Sequence, residues 1–314
     1  MKQFAVSLLL GACCLSFAAT QPAFAPKSMA YVLQADKLAS TREAAVQKLA
    51  SSDRDLIVID AAFNSDGDWT PEEIAAIRSG KAGRRVVAYV SVGEAEDYRP
   101  YWQETWDANK DGQPDAAAPK FLNTENPDWK GNYRVRYWQP AWQQLMLPAV
   151  DKVATQGFDG IYLDIIDAFE FYEYDPATKD WLDDRPNPET GRTYREDMIA
   201  WVAAIAQRAR EKHPGFLVIP QNASQLLAHA EYRELISAIG VEDLFVTGRK
   251  LRSEKQSRYV LSFLEKLKPD GKPVLVIDYP KSADIHAAAF ESAKKHDFTL
   301  LLTDRQLTTL GESK

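Results

Sequence analysis

The sequence predicts an α/β fold, a (β/α)8 TIM barrel, on three observations. Eight short aliphatic runs alternate with helix-like stretches along one uninterrupted domain. The runs are rich in Val, Ile and Leu without polar alternation, as parallel strands covered on both faces should be. The first run leads into Gln34-Ala-Asp-Lys37, not into the glycine-rich phosphate turn that marks a doubly wound sheet.

In order, strands are predicted at 30–34, 56–61, 86–92, 160–166, 216–220, 241–246, 273–277 and 298–303. Helices fit 41–50, 141–156, 224–239, 253–267 and 282–295 between them. Thr70-Pro-Glu-Glu73 opens the second helix with a cap, a proline at the first helical position and a glutamate at the third. The stretch 194–212 carries Met198, Ile199, Val202, Ile205 and Ala206 at helical spacing, and His213-Pro-Gly215 stops it. A connection of about 45 residues, Gly93 to Gln139, follows the third strand and is far longer than such links usually are. It is rich in Trp and Tyr, which argues for a folded cap over the barrel mouth. Most of its rings are expected to be structural, and two or three to face ligand, because aromatic faces suit the C–H faces of sugars.

Residues 1–25 read as a secretory signal peptide: Lys2, an apolar run over 5–19, and Ala23-Phe24-Ala25 as the cut. Cleavage within Ser16-Phe-Ala18 is the alternative, and Leu10-Gly-Ala-Cys13 offers lipidation at Cys13 as another. Export to the periplasm or medium is expected, leaving one domain over 26–314. Both cysteines, Cys13 and Cys14, lie in the leader, so the mature chain would hold no disulfide or thiolate site. Losing Lys2 changes 38 basic residues against 45 acidic into 37 against 45, net −8. That charge disfavours nucleic acid as a partner. No second apolar run is long enough to span a bilayer, and a monomer is expected.

Active sites of this fold lie at the carboxyl ends of the strands. Those ends carry Asp36, Asp60, Glu94 with Glu96 and Asp97, Asp164 with Asp167, Gln221 with Asn222, Glu242 with Asp243, Asp278 with Tyr279, and Asp304. A strand-end acid can also cap the next helix, and that reading stays open for Asp36 and Asp304. The four histidines, His213, His229, His286 and His296, fall on helices or at the opposite end, which argues against a histidine triad or a histidine-rich zinc site. Paired carboxyl groups are instead the equipment of glycoside hydrolysis, one protonated to serve the leaving oxygen, the other ionised. Alternation puts Tyr162, Asp164 and Ile166 on one face of the fourth strand. Glu242 is placed one residue into the sixth strand.

Three segments carry a family resemblance: Val90-Ser-Val-Gly-Glu-Ala-Glu-Asp-Tyr98, Asn126-Pro-Asp-Trp129 and Gly157-Phe-Asp-Gly-Ile-Tyr-Leu-Asp164. They resemble the bacterial and archaeal relatives of the endo-α-1,4-polygalactosaminidases, glycoside hydrolase family 114. The resemblance covers nearly the whole mature chain. It implies cleavage of galactosamine-containing polysaccharide by a retaining pair, Asp164 as nucleophile and Glu242 as acid/base. Phe158-Asp-Gly-Ile-Tyr-Leu-Asp164 is also similar to the family-18 chitinase strand, but Tyr162 and Ile166 stand where that pattern needs acids. Expected sugar contacts are Asp60, Tyr89, Glu94, Tyr137, Asp167, Asn222, Asp278 and Tyr279. A carbohydrate-binding barrel without turnover is the rival reading.

No cofactor is expected, apart from one candidate for structural calcium. Asp107, Asn109, Asp111 and Asp115 occupy the first, third, fifth and ninth places of a calcium-loop pattern with Gly112 at the sixth. Ala118 stands where the closing acid belongs, so an ordinary turn is the alternative.

Overall fold

The computed structural model describes residues 24–64 and 67–314. The reading of 1–23 as a leader, with Cys13 and Cys14, therefore lies outside the described residues. All eight predicted strands form: β1 (Met29–Val32), β2 (Leu56–Asp60), β3 (Arg85–Ser91), β4 (Gly160–Asp164), β5 (Leu217–Pro220), β6 (Ile239–Glu242), β7 (Val274–Asp278) and β8 (Thr299–Leu302). They run parallel in chain order as a sheet β1 to β5 and a sheet β6 to β8. A parallel bridge between Gln221 and Gly240 joins the two.

The ring has a seam between β8 and β1. There Met29 N donates to Ser313 Oγ (2.9 Å), and that hydroxyl donates to Leu300 O (2.8 Å). Ser313 belongs to a short strand, Glu312–Ser313, antiparallel to β8. The Ser313 hydroxyl, with Thr299 Oγ1 donating to Pro26 O (2.6 Å) and Gln34 N to Leu307 O (3.2 Å), closes the seam where strand-to-strand bonds are missing.

Inward residues alternate as the pleat requires. Tyr31, Val58, Tyr89, Tyr162, Ile219, Leu275, Ile277 and Leu301 fill the barrel, while Val86, Ile161, Leu163, Val218, Ile239, Val274 and Val276 pack outward against the helices. Gly240 faces inward too, and it must be glycine: a Cβ there would lie 1.8 Å from Tyr162 Oη.

Helices follow seven of the strands. They are α1 (Arg42–Ala50), α2 (Pro71–Ser79), α3 (Pro140–Thr155), α4 (Tyr194–Lys212), α5 (Ala230–Leu235), α6 (Glu254–Leu264) and α7 (His286–His296). The capping box at α2 is present, Thr70 Oγ1 accepting from Glu73 N (3.3 Å) while Thr70 N donates back to Glu73 Oε2 (2.8 Å). The helix predicted over 224–239 is instead a 3-10 turn, Ser224–Ala228, and the six-residue α5, because Ile239 already belongs to β6. No helix follows β8 among the described residues; Asp304 accepts from Thr308 N (3.2 Å) and Thr309 Oγ1 (2.9 Å) in a turn rather than capping one.

The long connection is folded. Three antiparallel strands, Glu94–Glu96, Trp129–Val135 and Leu122–Asn126, hold it. Trp102 packs on Trp106 (5.0 Å between centroids) and Tyr133 (4.6 Å), and Phe121 on Trp142 (5.3 Å).

Candidate active site

β4 and β6 end in, and β5 is followed by, a polar residue that precedes a left-handed one. Asp164 precedes Ile165 (φ 59°), Gln221 precedes Asn222 (φ 59°), and Glu242 precedes Asp243 (φ 52°). The reversal breaks each strand and leaves the last polar side chain pointing into the barrel mouth. Sequence reading placed Glu242 near the start of its strand; it is the final residue of β6, level with Asp164 at the end of β4.

These side chains line a cavity of about 680 Å3 with Tyr89, Glu94, Glu96, Asp167, Asn222 and Tyr279. That volume suits a ligand larger than a single sugar ring. Asp164 accepts from Tyr89 Oη at Oδ2 (2.6 Å) and from Ile165 N at Oδ1 (2.8 Å). Glu242 accepts from the Tyr279 hydroxyl at Oε1. Asn222 Nδ2 lies 3.5 Å from Glu242 Oε2, and Asn222 Oδ1 accepts from Glu242 N (3.1 Å).

Gln221 Nε2 donates to both acids, 3.0 Å to Asp164 Oδ1 and 2.8 Å to Glu242 Oε2. One nitrogen within hydrogen-bond reach of both brings the two carboxyl groups together in one cleft, as a two-carboxylate glycosidase site requires.

Burial raises both groups, and different partners act on each. Burial, then the charge of Asp164, pushes the Glu242 carboxyl up to about 7. Burial also raises Asp164, but the Tyr89 hydroxyl and the Ile165 amide favour its ionised form. The Tyr89 and Tyr279 hydroxyls are themselves driven far up by burial, then by Asp164 and Glu242 respectively, and so stay donors. Asp167 rises to about 8 through burial and then Asp164. No cation among the described residues pairs with it. Glu94 is nearly enclosed; burial raises it, and the amides of Asn126 (2.8 Å) and Asn132 (3.4 Å) partly offset this.

Three expected sugar contacts lie elsewhere. Tyr137 is fully buried, its hydroxyl donating to Tyr194 O (2.7 Å) and its ring against Trp138 (5.1 Å). Asp278 faces outward, since Ile277 and Tyr279 on either side point in, and its Oδ2 accepts from Phe245 N (3.0 Å). Asp60 is held by Arg99, which donates to Oδ1 (2.9 Å) and Oδ2 (2.7 Å) and also binds Glu96. Asp60 therefore braces Glu96 from behind the cavity wall.

Sequence reasoning passed over Gln221 as a site residue and the cations Lys37, Lys130, Arg134 and Arg305, which line the same cavity. Of the aromatic loop, Tyr98 and Trp129 face the cavity and are 63% and 55% exposed. Phe171, outside that loop, joins them, with Arg134 over its ring (4.4 Å).

The calcium-like loop is a closed turn. Asp107 accepts from Asp111 N (3.1 Å), Gly112 N (2.9 Å) and Tyr133 Oη (2.6 Å), and Asp115 from Ala108 N (2.8 Å). Asn109 Oδ1 accepts from Asp111 N (3.1 Å), and Asn109 Nδ2 donates to Asp111 Oδ2 (3.0 Å). Among the described residues no group of three or more His, Cys, Asp or Glu is placed to hold a metal ion.

Comparison with known proteins agrees with this architecture. The sequence profile of glycoside-hydrolase family GH114 matches residues 16–314. An uncharacterised protein of Deinococcus radiodurans is 36% identical over 257 residues, 82% of this chain and 75% of that protein. One from Methanocaldococcus jannaschii is 35% identical over 76% of this chain and 64% of its own length. The glycoside hydrolase domain of PelA from Pseudomonas aeruginosa superposes with a TM-score of 0.63 at 18% identity, covering 91% of this chain and 98% of that domain. Aspergillus fumigatus Ega3 in complex with galactosamine gives 0.60 at 19% identity, over 95% and 97%. The chain belongs to glycoside-hydrolase family GH114 and is a glycosidase.

Proposed function

We propose that the protein is an exported, endo-acting hydrolase of galactosamine-containing polysaccharide, using Asp164 and Glu242 in a retaining mechanism. One observation carries the reading: both carboxylates take hydrogen bonds from the same Gln221 amide, which favours the short spacing a retaining pair uses over the wide one that leaves room for a water. Asp164 attacks the anomeric carbon while Glu242, raised to about 7, delivers its proton to the departing glycosidic oxygen. The leaving sugar departs as an alcohol, and the remaining one is bound to Asp164 as an ester. Glu242, now ionised, takes a proton from water. The resulting attack on the anomeric carbon releases Asp164 and restores both groups.

The amino-sugar preference is supported by Asp167, a cavity carboxyl with no cation beside it. A sugar ammonium docking there ionises Asp167 and forms a charge-assisted pair. Tyr98, Trp129 and Phe171 offer flat faces for neighbouring rings. Export rests on the leader read from residues 1–25. Among the described residues no helix is long and apolar enough to cross a membrane.

The test is purified protein on galactosamine polymers with reducing-end detection. Asp164→Asn and Glu242→Gln are expected to stay folded and lose turnover by orders of magnitude. Near-normal rates in both would remove the assignment.

A further inference from the structure

We infer that Gln221 is a positioning residue that sets the spacing of Asp164 and Glu242 and couples the protonation of one to the other. This deepens the retaining reading above and rests on it for its kinetic arm. Gln221 is 3% exposed, at the end of β5 between the two acids. Its backbone is fixed on both sides, Gln221 N donating to Leu163 O (2.8 Å) on β4 and Asn222 N to Gly240 O (2.8 Å) on β6. The side chain has little freedom to move off the pair.

Its amide is committed in an unusual way. Both Nε2 hydrogens go to carboxylates, while Oε1 is buried and has no partner among the described residues. Buried polar atoms are normally satisfied, so leaving an acceptor empty in order to aim both donors at two acids is a departure expected at a functional site. The orientation follows from chemistry: turned over, the amide would present an oxygen to the ionised Asp164 carboxylate.

The consequence is electrostatic. Each N–H favours the ionised form of the acid it meets. Around Asp164 the other groups are the Tyr89 hydroxyl, the Ile165 amide, the Glu94 and Asp167 carboxyls and, beneath, the Tyr31 and Tyr162 rings. Around Glu242 they are Tyr279, Asp243 and Arg305. Tyr31, Tyr162 and Asp167 feel the charge of both acids, but among the described residues Gln221 alone hydrogen-bonds to both. When Glu242 gives up its proton, the amide hydrogen on it strengthens as Asp164 becomes esterified and no longer needs its own. One side chain serves opposite charge states in the two half-reactions.

The experiment compares Gln221→Leu and the isosteric Gln221→Glu with the unaltered protein. Both limbs of the kcat/KM profile on galactosamine polymer are expected to move to higher pH by about one unit in Gln221→Leu, an about tenfold loss on the acidic limb. Gln221→Glu should move them farther. Limbs that stay in place in both variants, whatever the height of the profile, would overturn the inference. A merely structural role would lower stability or the maximum rate and leave the limbs where they were.

Carboxyl 13C titrations, assigned with Asp164→Asn and Glu242→Gln, give a readout that needs no turnover. Midpoints raised for both acids in Gln221→Leu support the inference even if the unaltered protein cleaves nothing, in which case the proposed substrate is what fails. Unchanged midpoints overturn it.

Discussion

Tyr279→Phe isolates one term in the acid's environment. The phenol donates to Glu242 Oε1 and to no other group, while Arg305 sits over its ring at 4.1 Å and should remain there over phenylalanine. A hydrogen bond to a charged group contributes about 1.5–3 kcal/mol, and one pKa unit corresponds to about 1.4 kcal/mol. Removing the donor would thus raise the Glu242 carboxyl by about one to two units. The lower end applies, because the phenol bonds the protonated acid as well and water can enter the vacated space. Starting from about 7, the alkaline limb of kcat/KM should move to about 8. The acidic limb should not move, since Asp164 takes its phenolic bond from Tyr89 instead. Tyr89→Phe should do the reverse. The assay is a profile from pH 4 to 10, each variant normalised to its own maximum. An alkaline limb that stays or moves down in Tyr279→Phe would show that Glu242 is not the proton donor being titrated.

Three further outcomes follow from the geometry. Glu242, Asp167 and Asp278 have folded values near 7, 8 and 7, all above the ordinary carboxyl range. Between about pH 4 and 8 the folded state therefore holds more protons than the unfolded one, and stability falls as pH rises. Tm should be higher at pH 5.5 than at 8.5, with Asp278→Asn flattening the slope; a Tm that rises across this window would contradict the assignment. Glu73, lowered by its bond to Arg42, acts oppositely, and its stabilisation is lost only as pH falls below the ordinary carboxyl range. Gly240→Ala should destabilise by about 1–3 kcal/mol or more, because the new methyl would meet Tyr162 Oη at 1.8 Å; denaturant unfolding at the unaltered midpoint would refute the packing. Chelator or added calcium should leave Tm unchanged, and a chelator-dependent drop of several degrees would restore a metal to the turn at Asp107.

Most of the barrel was readable because aliphatic runs covered on both faces have few alternatives. β6, expected at 241–246, starts two residues earlier and ends four earlier, for a physical reason. Its inward positions are Gly240 and Glu242, so the segment lacks the continuous apolar run of a strand covered on both faces. The glycine is there to admit Tyr162 from β4, a requirement invisible within the segment itself. Asp278 could have been excluded by alternation alone, since adjacent residues of a strand cannot both face inward and Tyr279 does. Tyr137 could not, because composition does not tell a packed ring from a stacking one. Asp60 was correctly placed at the mouth end of an inward face; what the sequence hid is that Arg99, 39 residues on, occupies both its oxygens.

The remaining signal lies in the turns. Left-handed backbone suits asparagine and aspartate, and Asn222 and Asp243 fit that pattern. Ile165 does not: a β-branched residue in this region is strained, and something must hold it. Two contacts do. Val92 N donates to Asp164 O (3.1 Å), and Gly93 packs so closely on Ile165 that a Cβ would stand 2.0 Å from Ile165 O. Trp142 Nε1 (2.9 Å) and Trp201 Nε1 (3.2 Å) both donate to Val92 O and pin that segment in turn. The Val-Gly-Glu stretch after β3 therefore does more than present Glu94. It clamps the turn that aims Asp164 at the cavity, so a strained isoleucine, a glycine and two buried tryptophans share the task of orienting one carboxylate.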